Sequence, residues 1–255
     1  MPADISNLGA IVLAGGLGTR VRHLLGDVPK PMAPVLGRPF VEWIVRYLSA
    51  QGIKKVILST GIGANQVSQH FASQPVPKIS VECVAESEPL GTGGAVRHAI
   101  SHARTKSESW FILNGDSLVF IDLTLMLRSL GEKSTGVIAV RYATDTSRYG
   151  SLELDAQHRV TAFREKQPGH GWINAGIYLL RNEALDSFPD KSPLSMETEV
   201  FTSLIAGGAE WVGHKTEAPF LDVGTPETLP EADLFVKENF AQFGTIEPAH
   251  EPYSG

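Results

Sequence analysis

Short apolar runs alternate with amphipathic stretches through the first half of the chain. "GAIVLA" (9–14), "KVILST" (55–60), "ISVECVA" (79–85) and "WFILNGD" (110–116) have the length and β-branched content of strands, the last running into a polar turn. Between them, "FVEWIVRYLSAQG" (40–52), a segment around 63–72 and "GGAVRHAISHA" (93–103) have helical spacing, the first ending at Gly52. Strands separated by helices of this length predict βαβ units, with a parallel sheet covered on both faces. The second half changes rhythm. "TGVIAVRYA" (135–143), "GSLELD" (150–155), "RVTAFREK" (159–166) and "WINAGIYLL" (172–180) read as strands joined by short polar turns. They extend the sheet in mixed fashion and build a second lobe facing the first. "METEVFTSLIAGG" (196–208) predicts a helix, "AEWVGH" (209–214) a short strand, and "TPETLPEADLFVKENF" (225–240) a closing helix. The pattern predicts one domain over 1–243, with halves meeting near residue 130. The polar tail 244–255 reads as flexible.

Composition narrows the classes. The 255 residues are 42% hydrophobic and 20% charged, ordinary for a globular protein. Net charge is -6 with no Lys/Arg-rich run, so neither nucleic acid nor an anionic membrane is an expected partner. No apolar stretch approaches the roughly 20 residues of a membrane helix, and no basic region precedes the first apolar run. A cytoplasmic location is expected. The single cysteine, Cys83, excludes an intrachain disulfide and reads as strand packing. The eight histidines read as background, and Trp43, Tyr47 and Phe71 as core.

Chemistry concentrates at the strand ends, where parallel sheets bind ligands. The first strand leads into "GGLGTRVRHLLGDVPKPM" (15–32). Its glycines allow tight turning and close approach of backbone to a ligand, and its cations call for an anion such as a phosphate chain. A P-loop would need Lys-Ser/Thr after the last glycine, and Thr19-Arg20 does not supply it. A dinucleotide fingerprint starting at Gly16 would need glycine at 21, where Val21 stands.

What remains, Gly-Gly-x-Gly-Thr-Arg-x-Arg followed by Lys30-Pro31, resembles the signature of the sugar-1-phosphate nucleotidylyltransferases. The resemblance extends through "EPLGTGGA", "NGD", "FREK", "INAGIYLL" and "FLDVGTPE", from residue 9 to about 235. It implies a three-layer, Rossmann-like nucleotidyltransferase fold of glycosyltransferase-A type, with a mixed central sheet and a sugar-binding lobe. It also implies attack of a sugar 1-phosphate on the α-phosphorus of a nucleoside triphosphate.

The resemblance implies a role for each matching residue. Leu13, Ala14, Gly15, Gly16, Gly18 and Thr19 would hold the nucleotide, with backbone N–H groups cradling the triphosphate. Arg20 would face the leaving pyrophosphate and Lys30 the α-phosphate. Arg22 reads equally as a phosphate contact or a surface charge. Asp116 and Asp222 would hold Mg²⁺, with Mn²⁺ as an alternative, since Mg²⁺ needs few protein ligands. Asp122 and Asp155 lack that context and read as structural. Gly150, Glu165, Lys166 and Asn174 would bind the sugar phosphate, and Gly91 and Thr92 would join the nucleotide site. A regulator that had lost catalysis would lack Arg20, Lys30, Asp116 or Asp222; all are present.

Glu86, five residues before Gly91, stands where relatives meet the base edge. A carboxylate offers only acceptors, which suits the N1–H and N2–H₂ donors of guanine better than uracil or thymine. GTP and a sugar 1-phosphate are the expected partners. Within the family the pattern is most similar to guanylyltransferases acting on D-glycero-α-D-manno-heptose 1-phosphate. Enzymes using mannose 1-phosphate or, with UTP, N-acetylmuramate 1-phosphate are the competing resemblances. Oligomeric state is left open, with a homo-oligomer among the options.

Overall fold

Side chains of β1 (Gly9–Ala14) alternate between two apolar clusters: Ala10, Val12 and Ala14 enter one, Ile11 and Leu13 the other. Successive strand residues point to opposite faces, so a strand buried on both reads as an unbroken apolar run. The computed structural model describes residues 4–16 and 18–245; the expected tail beyond 245 and the side chain of Glu165 lie outside the described residues.

After β1 come α1 (Arg22–Leu25), the short hairpin of β2 (Pro34–Val35) and β3 (Arg38–Pro39), α2 (Phe40–Gln51), β4 (Lys55–Thr60) and α3 (Ala64–Ser73). Next are β5 (Ser80–Ala85), α4 (Gly91–His102), β6 (Ser109–Asn114), β7 (Ser117–Val119) and α5 (Leu123–Arg128). The second half holds β8 (Gly136–Ala143), β9 (Gly150–Leu154), β10 (Val160–Glu165), β11 (Gly171–Arg181) and α6 (Phe201–Ala206). It closes with β12 (Trp211–Lys215), β13 (Phe220–Asp222) and α7 (Ala232–Glu238).

Strands β5, β4, β1 and β6 run parallel in that spatial order. β11 joins β6 antiparallel, β8 joins β11 antiparallel, and β12 joins β8 parallel. Away from β8, the first residues of β11 pair with β9, which carries β10, so one nine-stranded mixed sheet crosses both halves. α2 packs on one face through Phe40, Trp43, Ile44, Tyr47 and Leu48. α4 and α6 pack on the other through Val96, Ala99, Phe201 and Leu204. This is the predicted three-layer α/β arrangement.

Trp43, Tyr47 and Phe71 are core residues, and the polar ends of the first two are satisfied by the Val35 and Ile121 carbonyls. Cys83 is partly buried against the same core. Asp122 caps α5 by accepting from Leu125 N, and Asp155 closes a turn with the Gln157 and Arg159 amides; both are structural, as predicted.

Burial of α2 nearly all round also encloses charge. Arg38 Nη1 and Arg46 Nε both donate to Glu42 Oε1 at 2.7 Å, and His70 Nε2 meets Glu42 Oε2 at 2.7 Å. Burial opposes ionisation of Glu42, but the hydrogen bonds of His70 and Arg46 and the charges of Arg46 and Arg38 outweigh it and hold the carboxyl at about 2.

Three predicted elements differ. α4 starts at Gly91 instead of 93, because Leu194 O accepts from the Gly93 and Gly94 amides and supports an earlier turn. The 196–208 helix is a π-helical turn, Met196–Val200, running into α6. The 225–240 helix is broken into a 3₁₀ turn at Leu229–Glu231, α7 and a second 3₁₀ turn at Phe240–Phe243. Pro230 fits only a first turn, so no helix can run through it. The short strands β7 and β13 and helix α5 were not predicted.

Candidate active site

The carboxyl ends of β1 and β6, the segment after β5 and the start of α4 surround a cleft of about 460 Å³. Its wall includes Leu13, Ala14, Gly15, Gly16, Gly18, Thr19, Arg20, Lys30, Glu86, Gly91, Thr92 and Asp116. Every residue assigned from sequence to the nucleotide or to catalysis therefore meets in one place. Arg22 is exposed and lines a smaller neighbouring cavity that shares Gly16, Gly18 and Lys30 with this cleft.

Two glycines are needed where the wall is tightest. A Cβ on Gly15 would lie 2.6 Å from Glu86 Oε1. Gly18 has φ +59, and a Cβ there would meet Lys30 Cβ at 2.9 Å. Glu86 turns inward: Oε1 accepts from Ser59 Oγ at 2.9 Å and Oε2 from Leu90 N at 3.3 Å. A carboxylate has about four acceptor positions, so capacity remains for a ligand donor.

Asp116 and Asp222 come together through a pair of three-residue strands. β13 runs antiparallel to β7 with Asp222 opposite Ser117, and Val223 N donates to Asp116 O at 2.9 Å. Asp222 is not on the cleft wall but stands beside Asp116, its side chain 17% exposed. Burial and the Asp116 charge push the Asp222 carboxyl above the usual carboxylate range, against the pull of the Gly224 amide, Lys30 and Arg148. Lys30 Nζ lies 2.7 Å from Asp116 Oδ2, and Arg148 Nη2 lies 3.6 Å from Asp222 Oδ2. Two oxygen-donor carboxylates beside a phosphate-type cleft suit Mg²⁺ or Mn²⁺, which complete their coordination with water and phosphate oxygens. Among the described residues no group of three or more His, Cys, Asp or Glu forms a metal cage.

The sugar-side residues are not part of this cleft. Gly150 is buried at the start of β9 opposite Glu165, and Lys166 N donates to Tyr149 O at 3.1 Å with φ +47. The side chain predicted to bind sugar hydroxyls, that of Glu165, is outside the described residues. Asn174 is turned inward: Nδ2 donates to Tyr178 OH at 2.6 Å and Oδ1 accepts from Gly176 N at 2.9 Å.

A hydrogen-bonded chain joins Asn174 to the cleft. Tyr178 OH donates to Glu197 Oε1 at 3.4 Å, and Thr92 Oγ1 donates to Glu197 Oε2 at 2.7 Å while accepting from Met196 N at 2.8 Å. Burial and Glu197 push the Tyr178 phenol well above its ordinary range, so it stays protonated. The Thr92 side chain thus holds the 195–197 segment to α4, a role the sequence does not signal.

Sequence reasoning also missed Arg148, two residues before Gly150, and Asn114, whose buried Oδ1 has no donor among the described residues. The eight histidines, read as background, do include one pair four residues apart, His98 and His102 on α4, with ring centroids 4.0 Å apart. His98 Nε2 meets the Ala85 carbonyl, and His102 Nδ1 meets the His98 carbonyl and the Ser101 hydroxyl.

A family model described as "Nucleotidyl transferase" matches residues 9–239. The chain belongs to the nucleotidyl transferase family. This nucleotidyl transferase is 36% identical over 222 residues to the D-glycero-alpha-D-manno-heptose 1-phosphate guanylyltransferase of Campylobacter jejuni, covering 86% of this chain and 95% of that one. It is 35% identical over 225 residues to the protein of the same name from Aneurinibacillus thermoaerophilus, covering 88% and 96%. The solved structure of HddC from Yersinia pseudotuberculosis complexed with GMP-PN superposes with a TM-score of 0.77 at 32% identity, covering 91% of this chain and 99% of that one. No helix of the described residues is long and apolar enough to cross a membrane.

Proposed function

We propose that this nucleotidyl transferase moves GMP from GTP to a sugar 1-phosphate, D-glycero-α-D-manno-heptose 1-phosphate being the favoured acceptor. The observation that carries the reading is the convergence of the glycine loop, Arg20, Lys30, Glu86 and Asp116 on one cleft, with Asp222 behind Asp116. The guanylyltransferase names of the relatives and the GMP-PN complex of HddC support it.

In the proposed reaction an oxygen of the acceptor phosphate forms a bond to the α-phosphorus, and the bond to the β-phosphate oxygen breaks. Pyrophosphate leaves with that electron pair. Catalysis is positioning and charge neutralisation, with no covalent enzyme intermediate. Backbone N–H groups around Gly15, Gly16, Gly18 and Thr19 cradle the phosphates, while Leu13, Ala14, Gly91 and Thr92 border the nucleoside. Arg20 balances charge developing on pyrophosphate and Lys30 charge on the α-phosphate. Glu86 accepts from guanine N1–H and N2–H₂ while still held by Ser59 and Leu90. Asp116 and Asp222 would hold Mg²⁺ or Mn²⁺, which would supply neutralisation of phosphate charge. Lys166 binds the acceptor phosphate, with Gly150, Glu165 and Asn174 around the sugar. Residues 1–243 act as one domain, with nucleotide and acceptor halves.

The test is a matrix of GTP, UTP, dTTP, CTP and ATP against heptose, mannose, glucose and N-acetylmuramate 1-phosphates, with products identified by mass. GDP-heptose should dominate. A dominant UDP-sugar would overturn the guanine assignment, and a dominant GDP-mannose the heptose assignment.

A further inference from the structure

Arg148 sits on the turn between β8 and β9, with its guanidinium 3.6 Å from Asp222 Oδ2 and 5.6 Å from the centroid of the Tyr149 ring. The residues that follow it belong to the acceptor side. Tyr149 O accepts from Lys166 N, and Gly150 is the register partner of Glu165. Arg148 therefore stands at the junction between the two aspartates and the strand ends that carry Lys166.

Charge counting gives the junction a consequence. Asp116 and Asp222 carry two negative charges; Lys30, against Asp116, and Arg148, against Asp222, carry two positive ones. The four groups are neutral together without ligands. If a divalent cation occupies the carboxylates, the same set carries a charge of +2 in a partly buried place, and anions must answer it. Lys30 projects from the nucleotide side of the cleft. Arg148 is 44% exposed, and its planar fork can grip two phosphate oxygens at once.

We propose that Arg148 is a phosphate-binding residue for the acceptor: its guanidinium screens Asp222 in the ligand-free protein and passes to the phosphate of the sugar 1-phosphate, opposite Lys166. The inference rests on the proposed function, and it assigns the acceptor phosphate two cations from the second lobe. Asp145 and Glu227 also lie within the field of Arg148, so the competing account is a structural screen for an acidic surface.

The test compares Arg148→Ala and Arg148→Lys with the unaltered protein, with thermal unfolding as a check that each folds. Two quantities are read: binding of Mn²⁺ to the nucleotide-free protein by electron paramagnetic resonance, and KM for each substrate. Arg148→Ala should bind Mn²⁺ several-fold more tightly, because a competing cation has gone. It should also raise KM for the sugar 1-phosphate roughly 10- to 100-fold, with KM for GTP within about threefold. Arg148→Lys should recover part of the acceptor KM. Tighter Mn²⁺ binding with an unchanged acceptor KM would reduce Arg148 to a screen and overturn the proposal, as would no change in either quantity. Absence of turnover with every triphosphate and sugar 1-phosphate in the unaltered protein would instead overturn the functional reading, and this inference with it.

Discussion

Lys30 Nζ donates to Asp116 Oδ2 at 2.7 Å, joining side chains 86 residues apart in sequence. The ammonium occupies the approach to a carboxylate assigned to a divalent cation. Lys30 has only 10% of its side chain exposed and Asp116 39%, so the pair is much less screened than a surface one. Substrate binding must then redistribute charge that is already balanced.

Asp116→Asn and Asp222→Asn should each lower turnover about 100-fold or more, the loss expected for a direct metal contact. Their stabilities should not fall in step. The Asp222 carboxyl holds its proton more tightly folded than unfolded, so above its folded pKa the charge costs stability. Asp222→Asn should leave the unfolding temperature unchanged or raised. Full activity of either variant, or of the unaltered protein in excess chelator, would remove the metal assignment.

Glu86→Gln should narrow the preference for GTP over UTP. The amide replaces one acceptor with a donor facing a guanine donor, and it suits the mixed edge of uracil. The ratio of kcat/KM values should shrink roughly 10- to 100-fold. An unchanged ratio would leave Glu86 as the anchor of Leu90 and nothing more.

Lys166→Ala and Lys30→Ala should separate the two substrates. Each deletes a charge-assisted contact worth on the order of 1.5–3 kcal/mol, or roughly 10- to 150-fold. The loss should fall on KM for the sugar phosphate with Lys166→Ala, and on KM for GTP or on kcat with Lys30→Ala. If Lys166→Ala leaves acceptor kinetics intact, the acceptor site lies elsewhere.

Glu42→Gln should destabilise the fold by about 3–5 kcal/mol, the usual cost of breaking a buried charge cluster by removing one partner. Glu42 is 1% exposed and takes contacts from Arg38, Arg46 and His70. Its carboxyl is depressed from 4.5 to about 2, so its contribution is complete above the unfolded value and lost as pH falls between the two. Chemical denaturation of both proteins across this interval should show their difference shrinking toward acid. A constant difference would mean that ionisation of Glu42 is not what matters.

The sequence by itself determined the alternating strands and helices, the core aromatics and the residues of the glycine loop. These follow from local periodicity and backbone chemistry, and such signals survive when the chain is read in one dimension. Asp222 could be assigned to Asp116 only through resemblance, because β7 and β13 are three residues each and too short to leave a periodic trace. Tertiary structure alone decided that Thr92, Glu197, Tyr178 and Asn174 form one hydrogen-bonded chain, since its members span residues 92 to 197. It also decided that Glu42 and Arg46, spaced like a solvated helical pair, are buried. Their neighbours Arg38 and His70 come from separate elements, and only the packing of α2 against α3 brings a histidine to that carboxylate. Arg148 shows the same limit. A lone arginine in a polar turn has no pattern of its own, and its place beside Asp222 exists only because the β7–β13 pair meets the turn between β8 and β9, next to the Tyr149 carbonyl that holds Lys166 N.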